Sequence, residues 1–228
     1  MLALLKSSVG KKAVVAVTGA LLYLFVIAHT LGNLQIFIGQ EWLNAYAQHL
    51  KDWPFVLWPA RAGLLAALVL HVAVSINLAA ENRRARPIAY AKKRFVKASL
   101  ASRTMIFSGL LIFAFIVYHL LHYTFHVTHP QYSGLIDAKG RHDVYSMVVL
   151  SFRELPVSAG YIAAMAALAL HVGHGGQSLF QSLGFNDEKR LPLLEQASVA
   201  MGWIFFIGNA SIPVAAWAGW IMLPPGVR

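Results

Sequence analysis

TGALLYLFVIAH, residues 18–29, is an apolar helical stretch with a single histidine at its far end. It recurs at 108–119 as SGLLIFAFIVYH, with a hydroxyl residue, a glycine and, ten residues after the glycine, a histidine in the same places. A second pair also matches, AALVLHV at 66–72 and AALALHV at 166–172. The chain therefore reads as a two-helix unit used twice, with one histidine per helix.

Working outward, 58% of the 228 residues are hydrophobic and 12% are charged, so several long stretches are free of charge. Stretches of about 20 apolar residues are long enough to cross a bilayer. Five spans are predicted, at 13–38, 56–80, 105–127, 155–180 and 197–223, and they leave no room for a soluble domain. The expected architecture is one all-α domain, 1–228, an integral membrane five-helix bundle. The apolar run after Lys12 is long enough to span and no small-residue cleavage site precedes it, so a retained helix is expected, not a signal peptide.

The net charge of +10 would suit a nucleic acid in a soluble protein, but here its placement reports topology, and no nucleic-acid partner is expected. Lys6, Lys11, Lys12, Arg83, Arg84, Arg86, Lys92, Lys93, Arg94, Lys97, Arg103, Lys189 and Arg190 fall on one side of the five spans. Lys51, Arg61, Lys139, Arg141, Arg153 and Arg228 fall on the other. Thirteen against six predicts a cytoplasmic N-terminus and an outer C-terminus. The connection 81–103, with eight basic residues and one acid, suits anionic lipid or an acidic protein partner.

The outer connections 39–59 and 128–153 carry paired tryptophans and prolines, and Tyr132, Tyr145 and Phe152, which predicts ordered segments at the membrane interface. The last span has no histidine and is read as packing. Pro213 is expected to bend it, with Asn209 and Ser211 satisfying the freed backbone groups.

Ionisable groups deep in a span are costly, so His29, His71, His119 and His171 need a reason. A neutral histidine hydrogen-bonded to a neighbouring helix would explain one of them. Four in two repeated motifs ask for more. His29 lies 17 residues beyond Lys12 and His119 lies 16 beyond Arg103; both are thus roughly 25 Å from the inner charges. His71 lies 12 residues before Arg83, and His171 is about as far from its own inner end, roughly 18 Å. Depth therefore sorts them into an outer pair, His29 with His119, and an inner pair, His71 with His171.

Two facing imidazoles suit a six-coordinate haem iron, whose job is electron transfer. The absence of cysteine excludes disulfides, C-x-x-C-H haem attachment and cluster ligation by this chain. Val26, Phe25, Leu22 and Thr18 share the face of His29, as Ile116, Phe115, Ile112 and Ser108 share that of His119. Gly19, Gly63, Gly109 and Gly160 are read as points of close approach. His122, His126 and His129 continue the face of His119, and His174 follows His171 by three. A zinc ion between His122 and His126 is a minor alternative to wet interface groups.

Several further segments complete a pattern: SSVGKK at 7–12, TGALLYLFVIAHTLGN at 18–33, EWLNAYAQHL at 41–50 with DWPF after it, SGLLIFAFIVYH, and HVGHGGQSLFQSLG at 171–184. Over nearly its whole length the chain resembles the dihaem cytochrome b membrane-anchor subunit of succinate:quinone oxidoreductases and fumarate reductases, of the five-helix, single-anchor type. The resemblance implies two b haems, an outer one on His29 and His119 and an inner one on His71 and His171. It also implies a flavoprotein and an iron-sulfur subunit on the cytoplasmic face of a bacterial or archaeal inner membrane. Succinate and fumarate would be handled there, and this chain would pass electrons to or from a quinone, menaquinone by preference. Some members carry a glutamate two residues before the fourth-helix ligand; here it is Ala169, so no proton path through that position is expected.

Haem propionates need cationic or hydroxyl partners, for which Lys12, Arg103 and Ser7 or Ser8 are candidates. A quinone needs an apolar slot with hydrogen-bond donors. His49, Glu41, Asp52 and Trp53 are the outer candidates, and the surroundings of Lys11 and Arg103 the inner one. Competing readings are a cytochrome b anchor for a hydrogenase or formate dehydrogenase, and a haem-free transporter or anchor.

Overall fold

The computed structural model describes residues 6–85, 100–185, 187 and 189–227. Most of the basic connection between the second and third spans, including Arg86, Lys92, Lys93, Arg94 and Lys97, lies outside the described residues, as does Arg228. The described residues are almost entirely helical: α1 (Ser8–Leu34), α2 (Gln40–Lys51), α3 (Pro54–Arg84), α4 (Leu100–His119), α5 (Val144–Arg153), α6 (Leu155–Ser182) and α7 (Leu191–Trp217). Of these, α1, α3, α4, α6 and α7 are long and apolar enough to cross a membrane, so the chain has a multi-pass architecture.

The predicted spans are right in number and displaced at their ends, because helical hydrogen bonding does not stop where the apolar run stops. Helix α1 begins at Ser8, so Lys11 and Lys12 lie inside it; Ser7 Oγ accepts from Gly10 N at 3.0 Å and caps it. A 3-10 turn, Gln35–Phe37, follows α1. Helix α7 starts at Leu191 and ends at Trp217, six residues short of the expected 223. There Gly219 adopts φ 76° and Trp220 N donates to Ala215 O at 2.9 Å, a Schellman stop. Helix α4 does not run to 127: a π-helical turn, Leu120–Thr124, follows it, and His126 leaves the helix with φ 54°.

The two outer connections contain helices α2 and α5, which the hydropathy pattern did not distinguish from ordered loop. Tyr145 and Phe152 were expected at the interface, but both are buried. They join Ile36, Leu43, Val149, Val157, Tyr161, Ile212 and Ala215 in the apolar core at the end of the bundle that carries α2 and α5. Tyr145 reaches it with its polar tip satisfied, donating to Met222 O at 3.0 Å.

A polar network ties α2 to the segment before α5. Asn44, fully buried, donates to Asp137 Oδ2 at 3.2 Å and Asp143 Oδ1 at 2.9 Å, and accepts from Tyr145 N at 3.0 Å. Gln40 donates to Asp143 Oδ2 at 2.8 Å, and Arg141 bridges Asp137 and Glu41 at 2.7 and 2.8 Å. Hydrogen bonds from Arg141 and Lys139 hold the Glu41 carboxyl below the usual range. Burial raises the Asp137 carboxyl, but bonds from Arg141, Asn44 and Lys139 outweigh it and bring Asp137 down to about 2.

Helix α7 packs on α6 at glycines. A Cβ on Gly202 would lie 2.6 Å from Ala169 O, and one on Gly176 would lie 2.6 Å from Ser198 Oγ. Pro213 sits within α7, but Asn209 and Ser211 do not serve the carbonyl it frees: Ser211 donates to Gly208 O at 2.7 Å, and Asn209 to Phe205 O and Thr30 Oγ1, both at 2.9 Å. Asn209 thereby joins α7 to α1.

Candidate functional site: two facing histidine pairs

The two repeats bring their histidines together across the bundle. The rings of His29 (α1) and His119 (α4) face each other with centroids 5.8 Å apart, and those of His71 (α3) and His171 (α6) with centroids 6.5 Å apart. These are the pairs grouped by depth, and the ring opposite His71 is that of His171, not His174. His29 lies ten residues beyond Gly19, which touches the inner pair, so the pairs are separated by about 15 Å along α1.

What seats the inner pair is the hydroxyl-glycine step at the head of each repeat. His71 Nδ1 lies 3.2 Å from both Val15 O and Thr18 Oγ1. Thr18 spends its proton on Val14 O at 2.7 Å, so toward His71 it can only accept. His71 therefore carries its proton on Nδ1 and keeps an Nε2 lone pair. The second repeat copies the hydroxyl contact: His171 Nδ1 is 3.2 Å from Ser108 Oγ, and Ser108 donates to Met105 O at 3.1 Å, so toward His171 it accepts. Beside each hydroxyl a glycine makes room, since a Cβ on Gly19 would come within 3.1 Å of His71 Cε1 and one on Gly109 within 3.2 Å of His171 Cε1. Gly63 and Gly160 do not share this role; a Cβ on either would meet nothing within 4 Å.

The outer pair is held differently. Phe25 stacks on His29 at 5.3 Å and 22°, and Phe115 lies 5.9 Å from His119. His119 Nδ1 lies 3.3 Å from the Tyr161 hydroxyl, which also lies 3.0 Å from His122 Nδ1. The π turn after His119 breaks the spacing expected of the following histidines. His122 points inward, 1% exposed, with Nε2 3.2 Å from Ser151 Oγ. His126 faces His142 at 5.5 Å, and His129 stacks on Tyr132 and meets Glu154 at 3.3 Å. Both nitrogens of His122 are engaged, so the zinc alternative with His126 is not formed; nor is His122 a wet interface group. Among the described residues, no group of three or more histidines and acids could hold a metal ion.

Two paired imidazoles, their ring planes crossing at 89° and 67°, are a fitting donor set for a metal. A metal–Nε2 bond of about 2 Å on each side, as imidazole makes to zinc, plus about 1.1 Å from each nitrogen to its ring centre, gives roughly 6.2 Å between centroids. The observed 5.8 and 6.5 Å bracket that value. The Nδ1 atoms tied back to carbonyl and hydroxyl groups are the outer-shell bonds that orient ligating histidines. The residues present therefore fit two bis-histidine haems.

The other candidates are placed as follows. Ser8 and Lys12 are exposed in the first turns of α1, and Arg103 is exposed near the start of α4; Ser7 serves as the α1 cap. Lys11 is buried and paired with Glu81, and donates to Asn77 Oδ1 at 2.7 Å, joining α1 to α3. At the outer end His49 and Trp53 are neighbours at 6.2 Å, and Asp52 accepts from Gln48 at 2.8 Å. Glu41 stands apart, bound to Lys139 and Arg141. Sequence reasoning missed Tyr161 and Ser151, and missed an apolar groove between α4 and α6 lined by Leu111, Ala114, Phe115, Tyr118, Pro156 and Gly160. Only the packing of α5 and α6 against the π turn shows the first two, for no spacing relates them to the histidines.

Comparison with family models, with curated proteins and with solved structures found no match to this chain.

Proposed function

We propose that the chain is the membrane anchor and electron-carrying subunit of a succinate dehydrogenase or fumarate reductase complex, working between an iron-sulfur partner and a membrane quinone. The observation that carries this reading is the pair of facing imidazole couples, at 5.8 and 6.5 Å, stacked along one bundle. Each b haem, when bound, supplies a one-electron carrier with no open iron position for oxygen chemistry. The chain's part is to present four Nε2 lone pairs at two depths, to fix three of the four rings through their Nδ1 atoms, and to exclude water with the apolar faces of α1 and α4. Neutral imidazoles paired in this way meet the demand that an ionisable group inside a span have a partner.

Succinate and fumarate chemistry belongs to a flavoprotein partner, reached through an iron-sulfur subunit docked at the inner, basic end. The inner end is taken as cytoplasmic from its lysines and arginines, in a bacterial or archaeal inner membrane. Menaquinone is the proposed quinone; His49 with Trp53 at the outer end, or the neighbourhood of Arg103 at the inner end, is its proposed site. Lys12, Arg103 and Ser8 are the proposed contacts of the haem propionates.

Purification of the tagged chain from its native membrane tests the assignment. A covalent-flavin subunit and an iron-sulfur subunit are expected to accompany it, with succinate-dependent reduction of its haem. Isolation with a nickel- or molybdenum-containing partner instead would assign it to a hydrogenase or formate dehydrogenase.

A further inference from the structure

The outer ligand His119 is tied to a chain of groups that ends three links away on a different helix. Ser151 Oγ donates to Met147 O at 2.7 Å, and a carbonyl can only accept. The serine's one proton is then spent, so across the 3.2 Å contact with His122 Nε2 the serine oxygen accepts and the imidazole donates. A neutral imidazole with its proton on Nε2 has an acceptor at Nδ1. The Tyr161 hydroxyl, 3.0 Å away, therefore donates to His122 Nδ1. Tyr161 has then spent its own proton, and its oxygen accepts from His119 Nδ1 at 3.3 Å. Every link points one way, and the result at the far end is a His119 that carries its proton on Nδ1 and a free lone pair on Nε2.

We propose that Ser151, His122 and Tyr161 form a hydrogen-bond relay that selects the metal-binding tautomer of His119 and orients its ring. The inference rests on the haem reading above and goes beyond it. None of the three is itself a ligand; they are positioning residues. The inner pair obtains the same tautomer directly, His71 from Val15 O and Thr18 and His171 from Ser108, whereas His119 obtains it through Tyr161 of α6, His122 of the π turn and Ser151 of α5. The relay is enclosed: His122 and Ser151 are fully buried, and the Tyr161 ring is packed 4.9 Å from both Phe115 and Phe152. Breaking it at Ser151, which does not bond His119, frees His122 to move its proton to Nδ1. Tyr161 is then free to turn its hydroxyl toward His119, which loses its Nδ1 acceptor, as it does in Tyr161→Phe.

The test compares wild type, Tyr161→Phe, Ser151→Ala and Ser151→Thr in the purified, haem-loaded protein, reading the midpoint potential and low-spin electron paramagnetic resonance signal of each haem. Tyr161→Phe keeps the packed ring and removes only the acceptor. Loss of such an outer-shell bond weakens metal binding by about 10–100-fold. An acceptor on Nδ1 makes the ligand more basic and favours ferric iron, so its loss raises the potential of the outer haem. At 59 mV per tenfold for one electron, the same fold-change is roughly 60–120 mV. Ser151→Ala is expected to move the same haem in the same direction and Ser151→Thr to restore it, with the inner haem unchanged in all three. Absence of any b haem from the wild type would refute the cofactor reading. Two haems in the wild type, with an outer potential and signal unmoved in both Tyr161→Phe and Ser151→Ala, would overturn the relay alone.

Discussion

Gly19 sits against His71: a Cβ at that glycine would come within 3.1 Å of the imidazole Cε1, and Gly109 stands to His171 in the same way at 3.2 Å. The glycine of each repeated motif thus serves the histidine of the following transmembrane helix, not the histidine ten residues along its own. Each two-helix unit closes on itself through this contact, and the two units then meet through their histidines.

Gly19→Val and Gly109→Val place a branched side chain where the ring of His71 or His171 lies. The expected outcome is loss or displacement of the inner haem while the outer one is retained, checked by optical difference spectra resolved by redox titration. Gly63→Val and Gly160→Val, whose surroundings are open, are expected to leave both haems in place.

Removing ligands should sort in the same pairs. His29→Ala and His119→Ala are expected to abolish the outer haem, and His71→Ala and His171→Ala the inner one. Loss of one and the same haem from His29→Ala and His71→Ala would show that the facing rings do not share a metal.

Asn44 is the buried centre of the network beneath α2. Asn44→Ala leaves the Tyr145 N–H without its partner, at about 1–3 kcal/mol for a buried group left unsatisfied, and takes one donor each from Asp137 and Asp143. A lowered thermal unfolding midpoint is expected, together with faster amide exchange in α2 and α5 than in α6 and α7.

Acid should loosen the same region. The Asp137 carboxyl is lowered from 3.8 to about 2 in the folded chain, so it binds protons more readily when unfolded. Its contribution to stability is complete above pH 3.8 and is lost as pH falls through about 2. Glu41, also lowered, acts with the same sign. Near-ultraviolet circular dichroism is expected to hold steady down to about pH 4 and to decline below it. Asp137→Asn should flatten that decline.

The five spans, the histidine pairing and the two-unit repeat were legible because each rests on hydropathy or on periodicity along one helix. Thr18 and Ser108 were legible as repeated hydroxyls, but not as acceptors for His71 and His171, since that depends on how α1 crosses α3 and how α4 crosses α6. His122 was misread for a local reason: a π turn shifts the register after His119, and nothing in LLHYT announces it. Tyr145 and Phe152 have the composition of interface aromatics, and only the packing of α5 over the bundle turns them inward. The ends of α1 and α7 were displaced because Ser7 and Gly219 set them, while the apolar content changes elsewhere.

The most direct measurement is the haem content of the purified chain, from a reduced-minus-oxidised optical spectrum with a pyridine haemochrome assay. Two b haems per chain, each six-coordinate and low-spin, are predicted. A chain that folds into its membrane and shows no b-type bands would contradict the account.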